Sequence, residues 1–238
     1  MGGAERTPKD LSLWIWAVFP PLMLLLLIAA HFVAPEMIPV FTRRDDTPQG
    51  GHIVEHGTFV VLIPGIIAGF AAYRARKLLP DWRLGWWILM WTLACCYFAG
   101  EEVSYGQHVF GWETPEAYKA LNKQQELNLH NSSSWLNQKP RILVELWVMI
   151  AGLVVPLWRG LTGAKEDPSS FWYWIWPTII AVPSAALFMV FRVPKWINEA
   201  TGRHMADWLS ESEVREYYIA TFLAIYLLSF WYRLRQRA

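Results

Sequence analysis

Residues 85–102 read Gly85-Trp-Trp-Ile-Leu-Met-Trp-Thr-Leu-Ala-Cys-Cys-Tyr-Phe-Ala-Gly100-Glu101-Glu102. The run to Gly100 carries no charge. As a helix rising ~1.5 Å per residue it nearly crosses a hydrocarbon core of ~30 Å. Two adjacent carboxyl groups then close it. Ionisable groups at a membrane helix end are costly, and the usual reason to keep them is a site.

The rest of the chain fits this reading. Of 238 residues 54% are apolar, and 16 are tryptophan. Mean hydropathy is +0.21. These values exceed those of an ordinary soluble domain and fit a small multi-span membrane protein. The sequence predicts an all-α bundle of about six transmembrane helices in one domain, over 11–33, 53–73, 84–100, 142–158, 171–193 and 217–231. A polar, partly helical loop, 101–141, joins the third and fourth. The mixed-charge start, Glu5-Arg-Thr-Pro-Lys-Asp10, lacks a small-residue cleavage site after it, so the first span is expected to be retained. Pro20-Pro21 should kink the first span, and Pro177 and Pro183 the fifth. Tryptophans near span ends read as interfacial anchors. Cys95 and Cys96 are neighbours and read as packing residues. A net charge of +1 gives no field for nucleic acid, which is not expected as a partner.

Six spans place both termini on one side. Arg74, Arg76, Lys77 and Arg83 crowd one short loop there, so the positive-inside rule predicts that side to be cytoplasmic. The long loops then face out. So do His31, His52-Ile-Val-Glu55-His56, Glu101-Glu102, Glu145, Arg192 and Glu216, each near an outer span end. The cytoplasmic side is expected to carry only ordinary basic loops.

Glu101 and Glu102 cannot both stay ionised cheaply if buried, and a proton-holding carboxyl beside a carboxylate suits acid–base chemistry. If the helix continues past them, Glu101, Ser104, Tyr105 and His108 share one face. Downstream, Thr114-Pro115-Glu116 reads as a helix start. Asn122, Glu126 and His130 follow at i, i+4, i+8. The candidate catalytic residues are Glu101, Glu102, Glu126 and His130. Ser104, Gln107, Glu113, Asn122, Gln124, Asn128 and Asn131 are candidates for holding substrate. His52-Ile-Val-Glu55-His56 matches the His-x-x-Glu-His spacing of inverted zinc peptidases. A divalent metal such as zinc is therefore conceivable at His52, Glu55 and His56, with Glu145 among the further ligands.

The block Gly-Glu-Glu-x-Ser-x-Gly-Gln, Glu-Thr-Pro and Asn-x-Gln-x-Glu-x-Asn-Leu-His-Asn, at 100–131, resembles that of a group of uncharacterised bacterial multi-pass inner-membrane proteins. The resemblance implies a bacterial cytoplasmic-membrane location, with the site facing the periplasm. In plan alone the chain is similar to membrane-embedded hydrolases of the alkaline ceramidase kind. Three functions are then open. The first is a hydrolase or transferase acting on a lipid or lipid-linked substrate. The second is a non-catalytic subunit or assembly factor whose polar loop docks a membrane-protein partner. A transporter is disfavoured, because the polar groups cluster at one end and no repeat is visible.

Overall fold

The computed structural model describes residues 9–42, 52–106, 113, 115–116, 134–164, 167–203 and 212–237, with backbone alone for 134–139. Among these residues all regular structure is helical. In chain order, α1 is Trp14–Val33, α2 Ile53–Arg74 and α3 Arg83–Glu102. Helix α4 joins Ser134–Met149, Ile150–Val154 and Val155–Thr162. Helix α5 covers Phe171–Thr201 with a break, and α6 is Ser212–Leu234.

Four of these, α1, α2, α4 from Pro140 and α5, are long and apolar enough to cross a membrane. Helices α3 and α6 have the length, 20 and 23 residues, but a more polar composition. The cause in α6 is its position. It is buried all round, with Tyr217 to Leu227 enclosed without a gap. A helix covered by protein needs no lipid-facing surface and can carry Tyr, Thr and Ser. Helix α1 is the opposite case. Met23, Leu27 and Ala30 make a narrow buried stripe, while Leu22, Leu25, Leu26 and Phe32 face outward.

Prolines shape three of the helices. A proline lacks an N–H and its ring clashes with the carbonyl four residues back. The helix accommodates this with a wide π turn at Trp14–Val18, before Pro20, and another at Ile150–Val154, before Pro156. In α5 the effect is larger than the kink expected from sequence. Trp176, before Pro177, is extended, as is Thr178, so the helix stops at Ile175 and resumes near Ile179. Pro183 sits in the first turn of the resumed helix, where its missing N–H costs nothing.

The break is tied back into the core. Tyr226 on α6 donates its hydroxyl to the carbonyl oxygens of Ile175 (3.0 Å) and Trp174 (3.3 Å). It accepts from the Trp87 indole at 2.7 Å. Beside it Trp147 stacks on Trp91 and Trp176, with ring centroids 5.4 Å apart in each case. Trp172 continues the stack at 6.3 Å from Trp176.

The two ends of the described chain meet. The Lys9 backbone N–H donates to Gln236 Oε1, and Gln236 Nε2 returns a bond to the Lys9 carbonyl, both at 2.8 Å. Both ends therefore lie at one end of the bundle, the end where α6 finishes.

Helix α6 packs most extensively on α2. A Cβ built on Gly65 would lie 2.7 Å from Ala224 Cα and 3.1 Å from Ala224 Cβ. Small residues let these backbones approach. Gly65→Val should therefore cost about 1–3 kcal/mol or more through overpacking. It should lower the unfolding temperature in detergent. Gly160→Ala, where nothing lies within 4 Å of the new carbon, should not.

Candidate functional site

The helix does not continue past Glu102. Ser104, Tyr105 and Gly106 all take positive φ, at 44°, 51° and 94°, and the Gly106 N–H donates to the Val103 carbonyl at 2.8 Å. Two non-glycine residues in that region are unusual, and such conformations persist where surroundings impose them. Tyr105 is folded back over Gly100, where a Cβ would lie 2.7 Å from its ring. The shared face expected for Glu101, Ser104, Tyr105 and His108 therefore does not form as a helical face. The turn instead leaves Glu101 and Ser104 buried and Tyr105 exposed.

Around this turn the bundle gathers charges from four helices. Arg141 on α4 bonds Glu145 Oε1 through Nε at 3.1 Å. Its Nη1 reaches Glu216 Oε1 at 2.8 Å and Ser212 Oγ at 3.0 Å. Ser212 in turn donates to Glu216 at 3.1 Å. On α5, Arg192 Nε stands 3.1 Å from the other Glu145 oxygen, Oε2. Glu145, 5% exposed, thus bridges two guanidinium groups. Arg215 is 1% exposed, and its Nε and Nη2 make no hydrogen bond. Burial, with Arg141 and Arg192 nearby, lowers its pKa to about 10, so it keeps its charge at neutral pH.

Glu102 shows the opposite effect. Burial raises its pKa well above the usual carboxylate value, and Glu216, Glu55 and Glu213 add to the rise, while Arg141 opposes it. Of the paired glutamates, Glu102 is the one whose surroundings favour the protonated form.

At the start of α2, His52 is the N-cap, and its backbone N–H donates to Glu55 Oε2 at 3.3 Å. This bond holds the Glu55 carboxylate, and His52 Nδ1 stands 3.7 Å from the same oxygen with no hydrogen-bond partner. Metal-ligating atoms of His52, Glu55 and Glu213 lie within 4.8 Å of one another. One imidazole and two carboxylates form a donor set that fits a divalent cation. His56 is exposed and outside this group. Glu145 is engaged with its two arginines.

A cavity of about 190 Å³ opens between α3, α4 and α6. Glu101, Glu102, Arg141 and Glu216 form its polar end, and Phe98, Val144, Ile219 and Leu223 line its apolar part.

The structure thus brings Glu55, Glu101, Glu102 and Glu145 to one end of the bundle. Glu113 is exposed. Gln107, Asn122, Gln124, Glu126, Asn128, His130 and Asn131 lie outside the described residues. Sequence reasoning missed Arg141, Arg215, Ser212 and Glu213 as partners. The i, i+4 spacing of Arg141 and Glu145 was the available signal. Comparison with protein-family models, curated proteins and solved structures finds no match.

The Glu102 proton makes stability depend on pH. Its folded pKa is above the unfolded carboxyl value of ~4.3. Its contribution is therefore complete below that value and is lost as pH rises through the raised folded pKa. Thermal stability in detergent should fall as pH rises above ~4.3 and through the raised folded pKa, and Glu102→Gln should flatten that slope. An unchanged slope would remove Glu102 as the titrating group.

Proposed function

We propose that this chain is a bacterial inner-membrane hydrolase or transferase acting on a lipid or lipid-linked substrate. The cavity carries this reading. It sets Glu102, whose pKa is raised, with further carboxyl groups and a guanidinium against an apolar wall, which suits a molecule with a polar head and a hydrocarbon tail. Arg141 Nη2, which has no hydrogen-bond partner of its own, donates to an oxygen of the polar head group. Glu101 takes the proton of the attacking water or hydroxyl. Glu102 gives its proton to the leaving oxygen, so proton uptake and release balance. A divalent cation at His52, Glu55 and Glu213 would add Lewis-acid polarisation next to this cavity. His130, Glu126 and the amides of the 107–131 segment complete substrate binding in this proposal.

The proposal includes six crossings, with the ends of the chain cytoplasmic and the cavity at the periplasmic surface. Three observations support it. The described chain ends share one end of the bundle. The site lies at the other end, where α3 finishes and α6 begins. The basic residues Arg74, Arg76, Lys77 and Arg83 lie on the side of the chain ends. The resemblance of the 100–131 block to bacterial inner-membrane proteins supports the location.

Two experiments test this. In a deletion strain, one lipid class should change in abundance and be restored by the wild-type gene. Glu101→Gln and Glu102→Gln should express normally yet fail to restore it, with activity reduced about 10²–10⁴-fold. Unchanged lipids together with a stoichiometric co-purifying protein would instead make the site a docking surface. For orientation, a background with Cys95 and Cys96 replaced should accept an impermeant thiol reagent from outside at His56→Cys. It should refuse it at Trp82→Cys. The reverse pattern would place the site in the cytoplasm.

A further inference from the structure

The end of the bundle expected to carry only basic loops holds a second polar cluster and a larger cavity, of about 450 Å³. Asp10, Arg159, Gly160, Tyr173, Thr178 and Arg233 line it. Arg233 is 1% exposed. Its guanidinium lies over the Tyr173 and Trp174 rings, at 4.9 and 5.3 Å, which fixes its plane. Its donors are poorly served. Nε and Nη1 reach only the Ser229 and Tyr173 carbonyls, each at 3.4 Å, and Nη2 has no hydrogen-bond partner.

Asp10 does not meet this demand. Its Oδ2 accepts from Thr178 at 2.6 Å and Ser229 at 3.0 Å, and its Oδ1 accepts the Leu11 N–H at 2.8 Å. Arg233 Nε is 3.9 Å from the same carboxylate. Arg233 and Arg159 both line the cavity, and Asp10, the one carboxylate among the described lining residues, is already engaged. A buried guanidinium with unused donors favours an oxyanion, and the planar fork matches phosphate. The remaining wall, Pro156, Pro177, Ile179 and Ile180, is apolar. The depth is also right. Arg233 lies 18 residues beyond Arg215 on α6, a rise of about 27 Å. That is close to the ~30 Å hydrocarbon thickness, so the cavity lies at head-group level.

We infer that this cavity binds the phosphate head group of an anionic membrane phospholipid, with Arg233 and Arg159 as its cationic partners. The inference rests on the membrane embedding of the chain and not on the chemistry proposed for the other end. The full chain in mild detergent would be titrated with phosphatidylglycerol, phosphatidylcholine or inorganic phosphate. Thermal unfolding and native mass spectrometry would be the readouts. Phosphatidylglycerol should raise the unfolding temperature and remain bound at one equivalent, whereas the other two should do neither. Gly160 lines the cavity, and a Cβ built there meets no heavy atom within 4 Å, so Gly160→Leu adds bulk at the cavity wall. It should fold normally and weaken phosphatidylglycerol binding about tenfold. Arg159→Gln should do the same. Glu102→Gln should keep wild-type binding, which separates this site from the other. Equal shifts by both lipids, a shift reproduced by inorganic phosphate, or full binding by Gly160→Leu would overturn the inference.

Discussion

Helix α6 is enclosed by protein along its whole middle, and it carries a fully buried arginine near each end. Those two guanidinium groups constrain the rest of the molecule. A buried charge is tolerated only if counter-charges and hydrogen bonds come to it. At Arg215, α4 brings Glu145 and α6 itself supplies Glu216, each paired with Arg141. At Arg233 the start of the described chain and the break in α5 bring Asp10 and the Tyr173 carbonyl. The apolar length between them is set by the same spacing, so one helix fixes both the thickness of the bundle and its polar ends.

The two ends differ in sign. Around the α3 terminus, Glu55, Glu101, Glu102, Glu145, Glu213 and Glu216 meet Arg141, Arg192 and Arg215, with Lys195 close by. Among the described residues carboxyl groups are in excess, and burial together with that excess raises the pKa of Glu102. At the other end, among the described residues, the buried Arg233 guanidinium keeps a donor without a partner. One scaffold therefore presents opposite chemistry at its two surfaces.

Much of this was legible in sequence, for identifiable reasons. Apolar runs bounded by charges gave the helices, because burial from water is a composition effect. The carboxylates near span ends pointed to the site, because charges at helix ends of a greasy chain are conspicuous. Partners were harder to see. Arg141, Glu216 and Ser212 come from two helices distant in sequence, and only packing joins them. The left-handed turn at Ser104–Gly106 was hidden because Tyr105 adopts a conformation its residue type disfavours. The break at Trp176 read as a kink, since a proline alone does not say whether a hydroxyl such as that of Tyr226 will satisfy the freed carbonyls. Asp10 and Arg233 escaped notice because each looks like an ordinary charge outside a span.

The stacked indoles have an optical consequence. Trp91 comes from α3, Trp147 from α4, Trp172 from the first part of α5 and Trp176 from its break, with neighbouring ring planes within 26° of parallel. Trp87 meets Trp147 edge-on at 5.2 Å. At such separations the transition dipoles of adjacent indoles couple, and the excited state is shared among rings on different helices. The ellipticity in the aromatic absorption band is then a property of the assembled bundle and of no single tryptophan. The protein thus contains an intrinsic chromophore whose signal exists only while α3, α4 and α5 are docked against Tyr226.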